Sequence, residues 1–327
     1  MKPKLLITGA SGFLGFHLIE AALAEGLEVH AGVRKSSDVS HLQHLDITFV
    51  DLDMRSVQAL TALMQEQQYS YVIHAAGATR AKDAAAFNEI NAAYTKHLLD
   101  AIVQSGVQLQ RFVFVSSLAA VGPKAYNGTW PEQEELDPAP VTLYGKSKLL
   151  AEQYLKEYSN IPWIVLRPTA IYGPRDKDLF VLFKTYGWRI EPYMGRSPQH
   201  LSFVYVKDVA QAAIRALKSK QVNASYDVSD GCSYDKYALA KVTKKLLGIR
   251  TLRIHVPLTV IRCIAGISEA VSSGAPLLNR DRLNELTAEN WNCSIIRIKK
   301  DLGYQPEFTL EEGMRETLDW YTGNNWL

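Results

Sequence analysis

At 327 residues the chain is long enough for one large or two modest domains around a substantial core. Its make-up, 47% hydrophobic and 21% charged, is that of an ordinary globular protein, and a net charge of +2 gives no reason to expect nucleic acid or an anionic membrane as partner. Three widely spaced cysteines, Cys232, Cys263 and Cys293, form no C-x-x-C pair and suit reduced thiols in a cytoplasm, with no metal site expected.

The N-terminus runs straight into an apolar strand over Lys4–Thr8, so no signal peptide is expected. The strand ends in T-G-A-S-G-F-L-G, and an amphipathic stretch follows over 13–25: strand, glycine turn, helix. Gly9, Gly12 and Gly15 have the spacing G-x-x-G-x-x-G. The first permits a tight turn, the second lets backbone approach a pyrophosphate, and the third lets helix pack on strand. The helix N-terminus offers free N–H groups and a positive dipole end to phosphates, so Ser11, Phe13 and Leu14 of the same loop are read as cofactor contacts.

A second strand over 27–33 leads to the residue that selects the cofactor. In NAD binders an acidic residue about 20 positions past the glycines bonds the adenosine ribose. Here that place is taken by Arg34, followed by Lys35, Ser36 and Ser37. Two cations attract a 2′-phosphate, so NADP(H) is the preferred cofactor and NAD(H) the alternative; a solvated basic turn is the plain reading. A third strand over 47–51 ends in Asp51-Leu52-Asp53 ahead of a helix over 56–67. Asp51 can accept from an adenine amino group or, more plainly, cap that helix. A fourth strand over 71–75 ends in Ala75, Ala76 and Gly77, small enough for a ribose to lie against backbone. A helix over 84–105 contains Asn91. Arg111–Val115 is the fifth strand, leading to Ser116 and Ser117, and 163–166 is the sixth, leading to Pro168.

Strands alternating with helices in this way argue for an α/β protein with a Rossmann-like doubly wound parallel sheet, whose ligands bind across the carboxyl ends of the strands. Gly9, Arg34, Asp51, Gly77, Ser117 and Pro168 all fall at such ends. Residues 122–143 form a polar, proline-rich loop leading into V-T-L-Y-G-K-S-K-L-L-A-E-Q at 141–153. Tyr144 and Lys148, four apart, leave one helix face with Cβ atoms roughly 5–6 Å apart. A cation beside a phenol favours phenolate and draws tyrosine down from its free pKa of about 10. Alone the pair reads as two surface residues; behind a glycine loop and a serine pair it reads as an acid and its electrostatic partner.

Beyond Pro168 the pattern loosens into a helix over 178–187, a strand over 202–206, a helix over 208–218, a strand over 226–229, and helices over 236–247, 259–272 and 310–321. Residues 1–168, with 203–230 packing back onto them, are expected to form the dinucleotide-binding domain; 169–202 and 231–327 are expected to form a smaller mixed substrate domain. The apolar stretch 257–271 is too short to cross a bilayer and carries Arg262, so no membrane span is expected.

Over almost its whole length the chain resembles the extended short-chain dehydrogenase/reductases. The resemblance rests on T-G-A-S-G-F-L-G at 8–15, D-L at 51–52, A-A-G at 75–77, V-S-S-L-A-A-V-G-P at 115–123 and Y-G-K-S-K at 144–148. R-P-T-A-I-Y-G-P at 167–174, F-V-Y-V-K-D-V-A at 203–210 and D-L-G-Y-Q-P at 301–306 extend it. It implies hydride transfer between a nicotinamide and a secondary alcohol or ketone. In that scheme Tyr144 exchanges the substrate proton, Lys148 binds the nicotinamide ribose and lowers the tyrosine pKa, and Ser117 holds the substrate oxygen. Ser116 is the alternative serine, and Asn91 a family position that bonds backbone near the site. The serine run is most similar to the hydroxysteroid dehydrogenase and dihydroflavonol reductase branches.

Sugar-nucleotide members of the family hold a diphosphate with arginines, one two residues before the aromatic of F-V-Y-V and one in an R-P-G-D segment. Here those places hold Leu201 and N-E-L-T-A-E-N-W, with Arg196, Arg280 and Arg282 as candidate substitutes. Trp188, Tyr193, Leu201, Phe203 and the run 256–267 make this half apolar, although most such residues are core. The expected substrate is therefore an apolar hydroxyl or keto compound of steroid, terpenoid or flavonoid type. A nucleotide-sugar epimerase or dehydratase is the alternative, and a catalytically idle NADP(H)-binding protein a third reading. A homodimer is expected through helices 84–105 and 144–158, using Ile90, Leu98, Leu149 and Tyr154.

Overall fold

The computed structural model describes residues 2–129, 137–271 and 280–327. The chain opens with β1 (Lys4–Thr8), α1 (Phe13–Ala24), β2 (Glu28–Val33), β3 (Thr48–Asp51), α2 (Val57–Gln67) and β4 (Tyr71–His74). Next come α3 (Ala84–Phe87), a π-helical turn (Asn88–Ala93), α4 (Tyr94–Ser105), β5 (Arg111–Val115), α5 (Leu143–Lys156) and β6 (Trp163–Pro168). The remainder holds β7 (Ala170–Tyr172), α6 (Phe180–Gly187), β8 (Ile190–Met194), β9 (Phe203–Tyr205), α7 (Val206–Lys218) and β10 (Ala224–Val228). It closes with α8 (Ala238–Leu247), β11 (Leu252–Val256), α9 (Leu258–Val271), α10 (Arg280–Thr287), α11 (Ile296–Leu302) and α12 (Leu310–Gly323).

The main sheet is parallel throughout, in the order β3-β2-β1-β4-β5-β6-β10. Winding proceeds outward from β1 in both directions, so the switch in strand order falls between β1 and β4, and a crevice opens there at the carboxyl ends. β1 shows why the strands are apolar runs and not alternations. Leu5 and Ile7 enter the core beneath α1 and α7, while Leu6 enters the core beneath α2, α4 and α5. A third cluster, rich in tyrosine and phenylalanine, joins the β7–β9 pair to α6, α8 and α12.

Several expectations change. The strand expected over 226–229 is β10, which starts two residues earlier and extends the main sheet to seven strands, in register with β6 from Ala224↔Ile164 to Val228↔Pro168. The helix over 84–105 is interrupted by a π turn that contains Asn91. β8 and β11 pair with each other in a separate two-stranded sheet, and α10 and α11 are short helices that the sequence pattern does not announce. Of the loop over 122–143, residues 130–136 lie outside the described residues, as does Ser272 of the expected helix over 259–272.

Candidate active site

The glycine loop is built by close approach. Gly9 has a φ of +71°, and a Cβ there would meet the Ala76 nitrogen at 2.7 Å. At Gly15 a Cβ would meet the Gly9 carbonyl oxygen at 2.2 Å, so only glycine lets α1 sit this tightly on the end of β1. Gly12 is the N-cap of α1, and no side chain caps the helix. Its first residues, Gly12, Phe13 and Leu14, line the crevice, so the helix start stands where an anionic diphosphate can meet its free N–H groups. The residues present thus fit a dinucleotide.

α5 carries the tyrosine and the lysine. Thr142 caps it, accepting from Gly145 N–H at 3.0 Å, and Asp281 of α10 accepts from Leu143 N–H at 2.8 Å. A Cβ on Gly145 would meet the Ala119 carbonyl oxygen at 2.2 Å, so the helix start lies hard against the 3-10 turn Leu118–Ala120 that follows Ser117. This contact brings the Ser117 hydroxyl into a hydrogen bond with the Tyr144 phenol. Ser116, the alternative, is buried and instead donates to Glu152, which pairs with Arg167 at 2.6 Å. Tyr144, Lys148 and Glu152, at intervals of four, thus form one stripe of α5 against the ends of β5 and β6.

Electrostatics correct one expectation. Desolvation pushes the Tyr144 phenol up to about 12, against a smaller lowering by the Ser117 hydrogen bond and by Arg282. Desolvation also brings Lys148 down to about 8, partly opposed by Glu152. The Lys148 ammonium donates to the Val115 carbonyl at 2.8 Å and sits 4.7 Å from the Phe114 ring centroid. Burial, and not the Lys148 charge, sets the direction at the phenol. At neutral pH Tyr144 is a phenol, able to donate a proton.

A buried network, missed in the sequence, joins the glycine loop to α5. Thr8 Oγ accepts from Ala76 N–H at 3.1 Å and makes a 2.6 Å hydrogen bond with His74 Nδ1. Thr95 Oγ donates to the Asn91 carbonyl at 2.7 Å and so accepts from His74 Nε2 at 3.0 Å. The partners fix the tautomer. Burial, then the Lys148 charge, lowers His74 to about 3, which keeps it neutral. Asn91 Oδ1 accepts from Ala78 N–H at 2.7 Å and its Nδ2 donates to Ser147 Oγ at 2.9 Å, tying the turn after β4 to the first turn of α5.

Every residue expected at the site lines one cleft of 1590 Å³: Gly9, Ser11, Gly12, Phe13, Leu14, Gly15, Arg34, Asp51, Leu52, Ala75, Ala76, Gly77, Ser117, Tyr144, Lys148 and Pro168. That exceeds the roughly 300–1,000 Å³ of a drug-sized pocket and leaves room for a dinucleotide and a second small molecule. Asp51 does not cap α2; Ser56 does, and Asp51 lies 3.5 Å from Lys35. Trp188, Tyr193, Leu201 and Phe203 are not among the described residues that wall the cleft, and Trp188 is 63% exposed, not core. Ile171, Leu179 and Trp326 line the cleft instead, and the charged Asp178, Arg282 and Glu285, also in its wall, act on the Tyr144 phenol. Arg282 lies 3.4 Å from Glu285. Arg175, also in the wall, stacks between Phe16 and Trp320. Arg196 is exposed on a turn, and the Arg280 side chain lies outside the described residues. Leu98 is fully buried beneath the sheet and is withdrawn from any dimer face.

A doubly wound sheet whose switch-point cleft joins a glycine loop to a Ser–Tyr–Lys set defines an NAD(P)-dependent oxidoreductase of the extended short-chain type. The model of the NAD dependent epimerase/dehydratase family matches residues 5–229, and the chain belongs to that family. It is similar to a ceramide reductase of Caulobacter vibrioides, 26% identical over 98% of this chain and 95% of the relative. It is also similar to a decarboxylating sterol-4-alpha-carboxylate 3-dehydrogenase of Candida albicans, 27% identical over 97% of each chain. Among solved structures, the UDP-glucose 4-epimerase of Thermus thermophilus in complex with NAD aligns with a TM-score of 0.79. The two chains are 24% identical, with 98% of this chain and 99% of the other covered, which is a likeness of fold. Among the described residues no helix is long and apolar enough to cross a membrane.

Proposed function

We propose that this enzyme reduces or oxidises an apolar keto or hydroxyl compound with NADP(H) as the preferred cofactor. A bound nicotinamide supplies or accepts the hydride. Tyr144 donates its phenolic proton to the substrate oxygen, or receives one in the reverse direction, while the Ser117 hydroxyl orients that oxygen. Lys148, anchored on Val115, presents its ammonium beside Gly77, where a Cβ would come within 3.3 Å of Nζ, and meets the ribose there. Arg34 and Lys35 meet the 2′-phosphate, and the free thiols of the exposed Cys232 and Cys263 suit a reducing cytoplasm.

The observation that carries the substrate class is the fate of the two diphosphate anchors. Leu201 packs into the tyrosine-rich cluster next to Tyr234, so no cation stands at the first. At the second, Arg282 reaches the cleft but has the Glu285 carboxylate beside it, which repels a diphosphate. A ceramide reductase and a sterol dehydrogenase among the relatives point the same way. A second reading, a nucleotide-sugar epimerase or dehydratase, is favoured by Arg282 itself. A homodimer pairing α4 and α5 would use Ile90, Leu149 and Tyr154, which stay partly exposed.

The test is a turnover panel of hydroxysteroids, long-chain keto compounds and aromatic ketones against UDP- and dTDP-sugars, with NADP(H) and NAD(H). Turnover confined to the apolar compounds, and lost in Tyr144→Phe, is expected. Turnover confined to the nucleotide sugars overturns the substrate class, and an active Tyr144→Phe variant overturns the assignment of the acid.

A further inference from the structure

The second half of the chain leaves an apolar surface open within a strongly basic frame. In the small sheet Leu252 pairs with Ile190 and Ile254 with Pro192, so these side chains share one face. The opposite face is the packed one. There Glu191 accepts from Lys244 of α8 at 2.6 Å, and Tyr193 meets Tyr237 with ring centroids 4.7 Å apart. Among the described residues the first face has no such cover: Leu252 is 69% exposed, Ile190 40% and Ile254 39%, next to Trp188 at 63%. α9 follows after Pro257 alone. It buries Ile261 and Ala265, while Val260, Ile264 and Ile267, spaced four and three apart, form an outward stripe.

Charge is equally uneven. Residues 236–267 hold seven Lys and Arg and no Asp or Glu. Residues 179–200 add three Lys and Arg and one carboxylate, Glu191, which is buried. Glu191 takes up Lys244 and Arg253, Glu311 takes up Lys245, and Asp235 and Glu269 flank the second stretch, which still leaves the two stretches a clear excess of cations in a chain whose whole net charge is +2. Lys184 reaches over the exposed Trp188 ring at 5.5 Å from its centroid. An overall charge near zero hides this segregation, which is why composition alone gives no reason to expect an anionic partner.

Apolar side chains left open on two successive elements of a folded chain mark an interaction surface. Its basic frame and exposed tryptophan select the partner: an anionic lipid surface attracts cations over a Debye length, and tryptophan settles at the headgroup level. We propose that the outer face of the β8–β11 sheet and the α9 stripe dock this protein on the surface of an anionic bilayer. Aliphatic side chains enter the headgroup region and the surrounding lysines and arginines meet lipid phosphates. A second copy of the chain would bring a like-charged surface against this one. Nucleic acid would use the charge but leave Leu252 and Ile264 without a partner.

The experiment is co-sedimentation of the whole protein with vesicles of phosphatidylcholine alone and of phosphatidylcholine mixed with phosphatidylglycerol. Pelleting with the mixed vesicles, weakening as salt is raised, is expected. Lys184→Gln with Arg250→Gln should lower partition about thirtyfold, and Trp188→Ser with Leu252→Asn should abolish it, cofactor affinity being unchanged in both. Recovery in the supernatant with both vesicles overturns the proposal. So does equal partition onto both, or partition that survives the Trp188 and Leu252 changes. A dimer that Leu252→Asn dissolves assigns the face to a second copy, and oligonucleotide binding indifferent to Leu252 assigns it to nucleic acid; each is also a refutation.

Discussion

Arg34 stands at the carboxyl end of β2, exposed, with its backbone N–H donating to Ser37 Oγ at 3.3 Å. That turn fixes the backbone and leaves the guanidinium on the cleft wall. Lys35 is partly spoken for, since Asp51 lies 3.5 Å away. Arg34 is then the stronger candidate for a 2′-phosphate, and a hydrogen bond between charged groups contributes about 1.5–3 kcal/mol. Arg34→Ala should therefore cut the preference for NADPH over NADH about ten- to hundredfold, read from two titrations of cofactor fluorescence. Equal affinities in the unaltered protein would remove the basis for the assignment. Residues of this kind are legible in a sequence because the strand and the glycines fix where they fall. Arg175 and His74 are not, since each acts through partners far away along the chain and through burial, which no local pattern records.

The elements that position the chemistry are the ones with a strong period. β1, α1, β2, β4, β5 and α5 all stand where apolar runs, glycines and the Thr142 cap place them. The elements that escape notice have a physical reason to. β8 contains Pro192, and among its described side chains α10 buries only Leu283. The π turn around Asn91 is a backbone adjustment with no composition of its own. α5 depends on its tight contact with the turn after Ser117. Gly145→Ala would force a methyl to within 2.2 Å of a carbonyl oxygen, so the helix start must shift and carry Tyr144 away from Ser117. A loss of about 1–3 kcal/mol in stability is expected, with a larger proportional loss in kcat than in KM. Gly187→Ala, in a helix and with nothing within 4 Å, is the control and should stay within about 1 kcal/mol. Matching effects at the two glycines would show that crowding at α5 has no special consequence.

Across the whole molecule, three aspartates are held away from water, and one of them, Asp208, ties α7 to the segment before α12. Asp208 of α7 accepts from Glu307 N–H at 2.9 Å, Asp176 accepts from Leu179 N–H at 3.1 Å ahead of α6, and Asp227 of β10 lies opposite Arg167. Desolvation raises all three to about 6 from an ordinary 3.8. A raised carboxyl contributes stability at low pH that is lost as pH rises through about 6. His74 has the opposite sign: lowered to about 3 from 6.5, it costs stability as pH falls below 6.5, where the unfolded chain takes up a proton that the fold refuses. Glu191, lowered to about 2 through Lys244 and its other hydrogen bonds against the cost of burial, acts only below the ordinary carboxylate range. Between pH 7 and pH 5 each of the three aspartates contributes on the order of 1 kcal/mol and His74 removes on the order of 2, so the aspartates together prevail and mild acidification stabilises the fold. Denaturant unfolding should accordingly show a higher midpoint at pH 5 than at pH 7. His74→Gln removes the opposing group, so the same comparison in that variant should show a wider gap even though the loss of its hydrogen bonds lowers both midpoints. A midpoint that falls from pH 7 to pH 5 in the unaltered protein, or a gap that narrows in the variant, would mean that water reaches these carboxyls and that burial does not govern their titration.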